Sequence, residues 1–77
     1  MLDLDKFTAA LDHDSIGYRR FTDWIDIVHV HFDLHVDQDG NLAIRDTNIP
    51  VQLDLHDQEF LVKIINLINA CLITLPN

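Results

Sequence analysis

The chain has 77 residues, 48% of them apolar, and a formal charge of −8, which excludes a disordered segment and a basic surface for nucleic acid or anionic membrane. Twelve of the thirteen acids are Asp, a residue that competes with its own backbone in a helix, so the acids point to strands, turns and caps. Cys71 is the single cysteine, which excludes an internal disulfide, and the acidic start MLDLDKF lacks a signal-peptide pattern, so a cytoplasmic chain is expected.

Residues 1–77 read as one domain, and a domain this short buries only about 60% of its unfolded surface. In DLDKFTAALD, residues 3–12, Leu4, Phe7 and Leu11 recur at helical spacing, with Asp3 and Asp5 at the positive end; this predicts a short helix. HDSIG breaks it. YRRFTDWI then sets Tyr18, Phe21 and Ile25 on one helical face, which predicts a second short helix. From Asp26 to Val36 the even positions Val28, Val30, Phe32, Leu34 and Val36 are apolar. His29, His31, Asp33 and His35 stand between them. That alternation predicts one continuous, half-buried strand with three imidazoles in a row on its polar face.

The register of the next hairpin follows from DQDGN. A three-residue loop, Gln38-Asp39-Gly40, is a type I turn with Gly40 at the left-handed bulge position. It pairs Val36 with Leu42 and Leu34 with Ile44, so the apolar residues share a face. It also sets Asp33 opposite Arg45, His35 opposite Ala43 and Asp37 opposite Asn41. Ile49, Val51, Leu53 and Leu55 predict a third strand, marked as an edge by Pro50, which leaves the middle strand central. Asp57 reads as the cap of the last helix, with Glu59 in its first turn. In that helix Leu61, Ile64, Ile65, Ile68, Leu72 and Leu75 form one apolar stripe, and Phe60, Leu67 and Cys71 a second. The arc is wider than one sheet face, so the N-terminal helices or a second copy of the chain must cover the remainder. The expected fold is α+β: one or two short N-terminal helices, a three-stranded antiparallel meander, and a C-terminal helix packed on one face of the sheet.

Chemistry is sparse. Cys71 lies in the apolar arc and reads as a core residue. His13 near Ser15 has no third member or oxyanion donors. Two glycines make no phosphate loop. No enzyme and no cofactor are expected. Asp37-x-Asp39-Gly40 has calcium-loop spacing, but His35 would be its first ligand and strands flank it, so a hairpin turn accounts for the same residues. HVHFDLH partly resembles the His-x-His-x-Asp-His run of metallo-β-lactamase-type hydrolases. It departs from that run where Leu34 separates Asp33 from His35, so no ligand set carries over. His-x-His on a strand still holds two rings about 6.6 Å apart on one face. A metal-binding domain using His29 and His31 is therefore the alternative reading.

The main reading starts from the acids. The register gathers Asp37, Asn41 and Asp54 across three strands, with Asp39 at the turn and Asp57 at the helix start. With the strand histidines this makes a recognition face of Asp37, Asp39, Asp54, Asp57, His31 and His35, without metal. A small acidic protein-binding module is expected, docking on a basic protein partner and touching neither nucleic acid nor membrane. A homodimer through the apolar helix and a monomer are both open. In order of elements and in charge, the chain is similar to some phage-encoded inhibitors, certain anti-CRISPR proteins among them. That likeness of layout implies an inhibitor that occupies a basic, nucleic-acid-binding site on its target.

Overall fold

The computed structural model describes residues 1–45 and 52–73. Helix α1 (Leu4–His13) leads into strands β1 (Tyr18–Arg20), β2 (Trp24–Val28), β3 (Asp33–Asp37) and β4 (Leu42–Arg45), and helix α2 (Leu55–Cys71) follows. The strands form one antiparallel sheet in the order β1-β2-β3-β4. The class is α+β with a C-terminal helix, as expected, but the sheet has four strands rather than three.

Helix α1 begins where its sequence predicts. Asp3 is the N-cap, and its carboxylate accepts the Lys6 N–H at 3.0 Å. The helix ends in a Schellman arrangement: the Ile16 N–H donates to the Leu11 carbonyl at 2.9 Å and the Ser15 N–H to the Asp12 carbonyl at 3.1 Å. Ser15 takes the left-handed conformation, φ 57°, that this ending requires.

YRRFTDWI is not a helix. Its first three residues form β1, the Phe21 N–H donates to the Trp24 carbonyl at 2.9 Å across a tight turn, and Trp24 opens β2. Tyr18 faces Ile27, and Arg20 faces Ile25. A lone eight-residue helix is marginal in water, whereas Tyr, Phe, Thr, Trp and Ile all suit a pleated surface. The second correction concerns residues 26–36. They are two strands joined by a hairpin, with the His29 N–H donating to the Phe32 carbonyl at 3.1 Å. Cross-strand partners here have opposite parity: Ile25 pairs with Val36 and Ile27 with Leu34. Odd residues of β2 therefore point the same way as even residues of β3. Val28 and Val30, which continue the even pattern, are left outside, Val30 at 88% exposure.

The β3–β4 register is the one the turn chemistry predicts: Asp33 opposite Arg45, Leu34 opposite Ile44, His35 opposite Ala43 and Val36 opposite Leu42. Gly40 has φ 88°, and a Cβ there would lie 2.9 Å from Leu72 Cδ2, so this turn needs glycine for its backbone and for its neighbour. The first part of the predicted third strand, residues 49–51, lies outside the described residues, and 52–54 form no strand. Its end is contradicted, because Leu55 opens α2 and β4 is the last strand of the described sheet rather than a central one. The cap of α2 is Asp54, not Asp57. Asp57 takes the third helical position and completes a capping box.

Both helices pack on the inward face of the sheet. Phe7 and Leu11 of α1, Ile64, Ile68 and Cys71 of α2, and Ile25, Ile27, Leu34 and Val36 of the strands share one buried core with Leu2 and Phe32. Leu34 is buried as the strand alternation predicts, and Ile64 and Ile68 as the helix stripe predicts, but Ile65 and Leu72 of that stripe are exposed. The Lys6 ammonium donates to the Ala70 carbonyl at 3.2 Å, and the Asp3 N–H to the Cys71 carbonyl at 2.9 Å, so the start of α1 is tied to the end of α2. Gly40 lies against that same end, while Asp57 at the other end meets the β2–β3 hairpin. Helix α2 thus runs along the β2–β3 pair, its N-terminus at the tip carrying His29 and His31.

Candidate functional site

Two places collect polar chemistry. The first is the tip of the β2–β3 hairpin. The His31 N–H donates to His29 Nδ1 at 3.1 Å. His31 Nδ1 lies 2.8 Å from Asp57 Oδ1, and His29 Nε2 lies 3.8 Å from the same oxygen. The Asp57 side chain is only 5% exposed, and Oδ2 accepts the Asp54 N–H at 3.3 Å. In return the Asp57 N–H donates to Asp54 Oδ1 at 2.8 Å. One face of His29 stacks on Phe32, ring centres 4.3 Å apart, and Phe60 tilts against it at 4.7 Å. Burial pushes the Asp57 carboxyl up, but the His31 hydrogen bond, the Asp54 N–H and the charges of both imidazoles outweigh it and hold the group below its ordinary 3.8. Among the described residues, His29, His31 and Asp57 are a group whose ligating atoms all lie within 4.8 Å of one another.

The second place is the outward face of the sheet, which neither described helix covers. Arg19, Asp26, His35 and Ala43 make one row across the four strands. Arg19 lies 3.8 Å from Asp26, and His35 Nδ1 is 3.6 Å from the other oxygen of that carboxylate. The Arg45 guanidinium donates to His35 Nδ1 at 3.3 Å. Trp24 packs on His35, ring centres 4.5 Å apart, and Phe21 stacks on Trp24 at 3.9 Å and 12°. Phe21 is 40% exposed. Beside this aromatic stack is a groove of about 160 Å³ lined by Arg19, Trp24, Asp26, Asp33 and Arg45.

The expected recognition face is divided by this geometry. His35 stands on the outward face, as its alternation predicts. His31 does not, because the strand turns back before it. Asp37 and Asp39 stand at the β3–β4 turn, near the C-terminal end of α2. Asp54 and Asp57 sit at its other end, a helix of 17 residues away, roughly 25 Å at 1.5 Å per residue. The four acids do not form one corner. Three of them are also engaged locally. The Asp37 Oδ1 accepts the N–H groups of Asp39 and Asn41, both at 2.9 Å, and its Oδ2 accepts the Asn41 side-chain amide at 3.1 Å. Asp54 and Asp57 cap the helix and each other. Asp39 remains exposed.

The sequence reading overlooks Phe21, Trp24, Arg19 and Asp26. The Thr22-Asp23 pair between two β-prone runs is a turn signal that could have placed them on a hairpin. The pairing of Asp57 with His29 and His31 carries no local signal, since it joins residues 26 or more positions apart. Cys71 is buried in the core, and burial pushes its thiol above the ordinary 9.0.

Comparison with protein-family models, curated proteins and solved structures gives no significant match. No helix among the described residues is long and apolar enough to cross a membrane.

Proposed function

We propose that the chain is a small acidic protein-binding module whose outward sheet face docks on a basic partner protein. The observation that supports this reading is the Phe21–Trp24–His35 stack on a sheet face free of either helix. Trp and Arg side chains beside a groove are the residue types that anchor interfaces. Asp26 and Asp33 line the groove together with Arg19 and Arg45; Asp26 is shared with Arg19 and His35, and Asp33 offers an acceptor to Lys or Arg of a partner. Asp37 is the strand partner of Trp24, so it and Asp39 extend the acidic rim at the stack's end of the face. Asp54, Asp57 and His31, at the other end of α2, are outside this surface. The net charge of −8 steers the whole molecule toward a positive surface and away from phosphates. A nucleic-acid-binding site on another protein is such a surface, so the module would act as an inhibitor by occupying it.

The test is site-directed photo-crosslinking in the native host. A crosslinking residue at Ala43 or Thr22 reports on the outward face, and one at Lys63 or Glu59 reports on α2. The expected result is one basic protein captured from the sheet positions only, lost in Trp24→Ala and reduced at high salt. Capture from α2 alone, or capture that survives Trp24→Ala, removes the proposal.

A further inference from the structure

We infer that His29, His31 and Asp57 form a mononuclear binding site for a zinc-class divalent ion, separate from the docking face and independent of that reading. The donor set is two imidazoles and one carboxylate. Imidazole nitrogens select late first-row ions over calcium and magnesium, which prefer oxygen. Ligands bound at about 2.0–2.2 Å in a tetrahedral site stand roughly 3.3–3.5 Å from one another. The observed separations from Asp57 Oδ1, 2.8 Å to His31 Nδ1 and 3.8 Å to His29 Nε2, bracket that value.

The surroundings also suit an ion. Asp57 is held by the capping box: the Asp54 N–H occupies Oδ2 and leaves Oδ1 aimed between the rings. A bond of this kind, from outside the ligand set, orients a metal-binding carboxylate. Phe32 and Phe60 close the side behind His29. The His31 side chain is 42% exposed, so the opposite side is open to water. Three protein ligands with one open position is the pattern of an exchangeable site rather than a closed structural one.

Protons set what must move. His29 Nδ1 now accepts the His31 N–H, so in the neutral ring the proton sits on Nε2. Ligation through Nε2 moves that proton to Nδ1, and the His31 N–H must then give up its acceptor. The proton between His31 Nδ1 and Asp57 Oδ1 likewise moves to Nε2 of the half-exposed His31 ring. Binding is therefore coupled to a rearrangement of the tip, residues 29–32. Val30 at its apex is 88% exposed and does not oppose the movement by packing.

The experiment uses the full chain with zinc or cobalt(II) alone as the probe. Zinc loading followed by gel filtration and elemental analysis is expected to give one ion per chain, and cobalt(II) to give visible d–d absorption. His31→Ala and His29→Ala are each expected to weaken zinc at least about a hundredfold, the upper end of what an outer-shell loss costs. His13→Ala, outside the ligand group, is expected to leave it unchanged. Asp57→Asn also breaks the helix cap, so His31→Ala, at the open side, carries the test if that variant unfolds. Less than stoichiometric zinc at micromolar ion, or retention of zinc by His29→Ala and His31→Ala, overturns the site and leaves the three residues as a hydrogen-bonded lock between hairpin and helix.

Discussion

Asp37 shows how a single side chain can be spent on its own turn. The Asn41 backbone N–H, with the Asn41 amide, the Asp39 N–H and the nearby His35, outweighs burial and holds its carboxyl below the ordinary 3.8. A depressed carboxyl stabilises the fold above the unfolded value and loses that contribution as pH falls through the lower folded value. Asp37→Asn is thus expected to lower the urea midpoint at pH 7, with the gap to the parent closing as pH falls below about 4. A gap of constant size down to pH 2 would show that the charge is irrelevant to the turn. Ser15 gives the opposite kind of test. It is the one non-glycine residue among the described residues with positive φ, at the position where helices usually place glycine. Ser15→Gly is expected to stabilise the chain by up to about 1 kcal/mol, the lower end of the left-handed penalty for an L-residue. Gly40→Ala is expected to destabilise it, because φ 88° and Leu72 both oppose a Cβ.

At the scale of the element, α2 is the part on which the rest depends. Its inward residues Ile64, Ile68 and Cys71 are buried, and Val62 and Ile65 are exposed on other sides of the same helix. Ile68→Ala is expected to cost roughly 2–5 kcal/mol, a large share of a small domain's stability. Asn66→Ala, at an exposed position of the same helix outside its apolar stripes, should remain within about 0.5 kcal/mol, as surface changes do. Equal losses in denaturant titrations would mean that the helix buries a different face. Asp54→Ala removes the N-cap acceptor and should cost about 0.5–2 kcal/mol. The β2–β3 hairpin teaches the complementary lesson. Its strands hold only five residues each, and the pattern that continues through the turn points Val28 outward. Apolar alternation is a property of a strand, and it says nothing about where that strand turns back.

For the whole molecule, charge and exposed apolar surface set the expectations. The attraction behind the proposed docking is screened by salt over a Debye length of about 8 Å at physiological ionic strength. Asp26→Asn and Asp33→Asn are expected to slow association with the partner, and Trp24→Ala to speed its dissociation; stopped-flow rates separate the two. Leu55, Val62, Ile65 and Leu72 remain exposed along α2, with Asn69 between the last two. Their heptad-like spacing suits a second helix, so light scattering at micromolar concentration is expected to give the mass of a dimer. A monomer mass would show that this exposed stripe is not a dimer interface.

Local chemistry determined much of this protein. The 3.6-residue pattern and Asp3 specify α1, the Asp37-to-Asn41 turn specifies the β3–β4 register, and the apolar stripe of α2 names the buried Ile64 and Ile68. Each depends on neighbours a few residues apart, and such rules are visible in a chain read from end to end. Tertiary structure decided the rest. YRRFTDWI becomes a hairpin because Tyr18 and Ile25 reach the core from adjacent strands, which a lone short helix would not stabilise as well. The histidine row divides because the strand reverses at residues 29–32. His35 then joins Trp24 and Asp26, while His29 and His31 meet Asp57 at the start of a helix. No sequence pattern links His31 to Asp57, since only the packing of α2 against the sheet brings them within hydrogen-bonding distance.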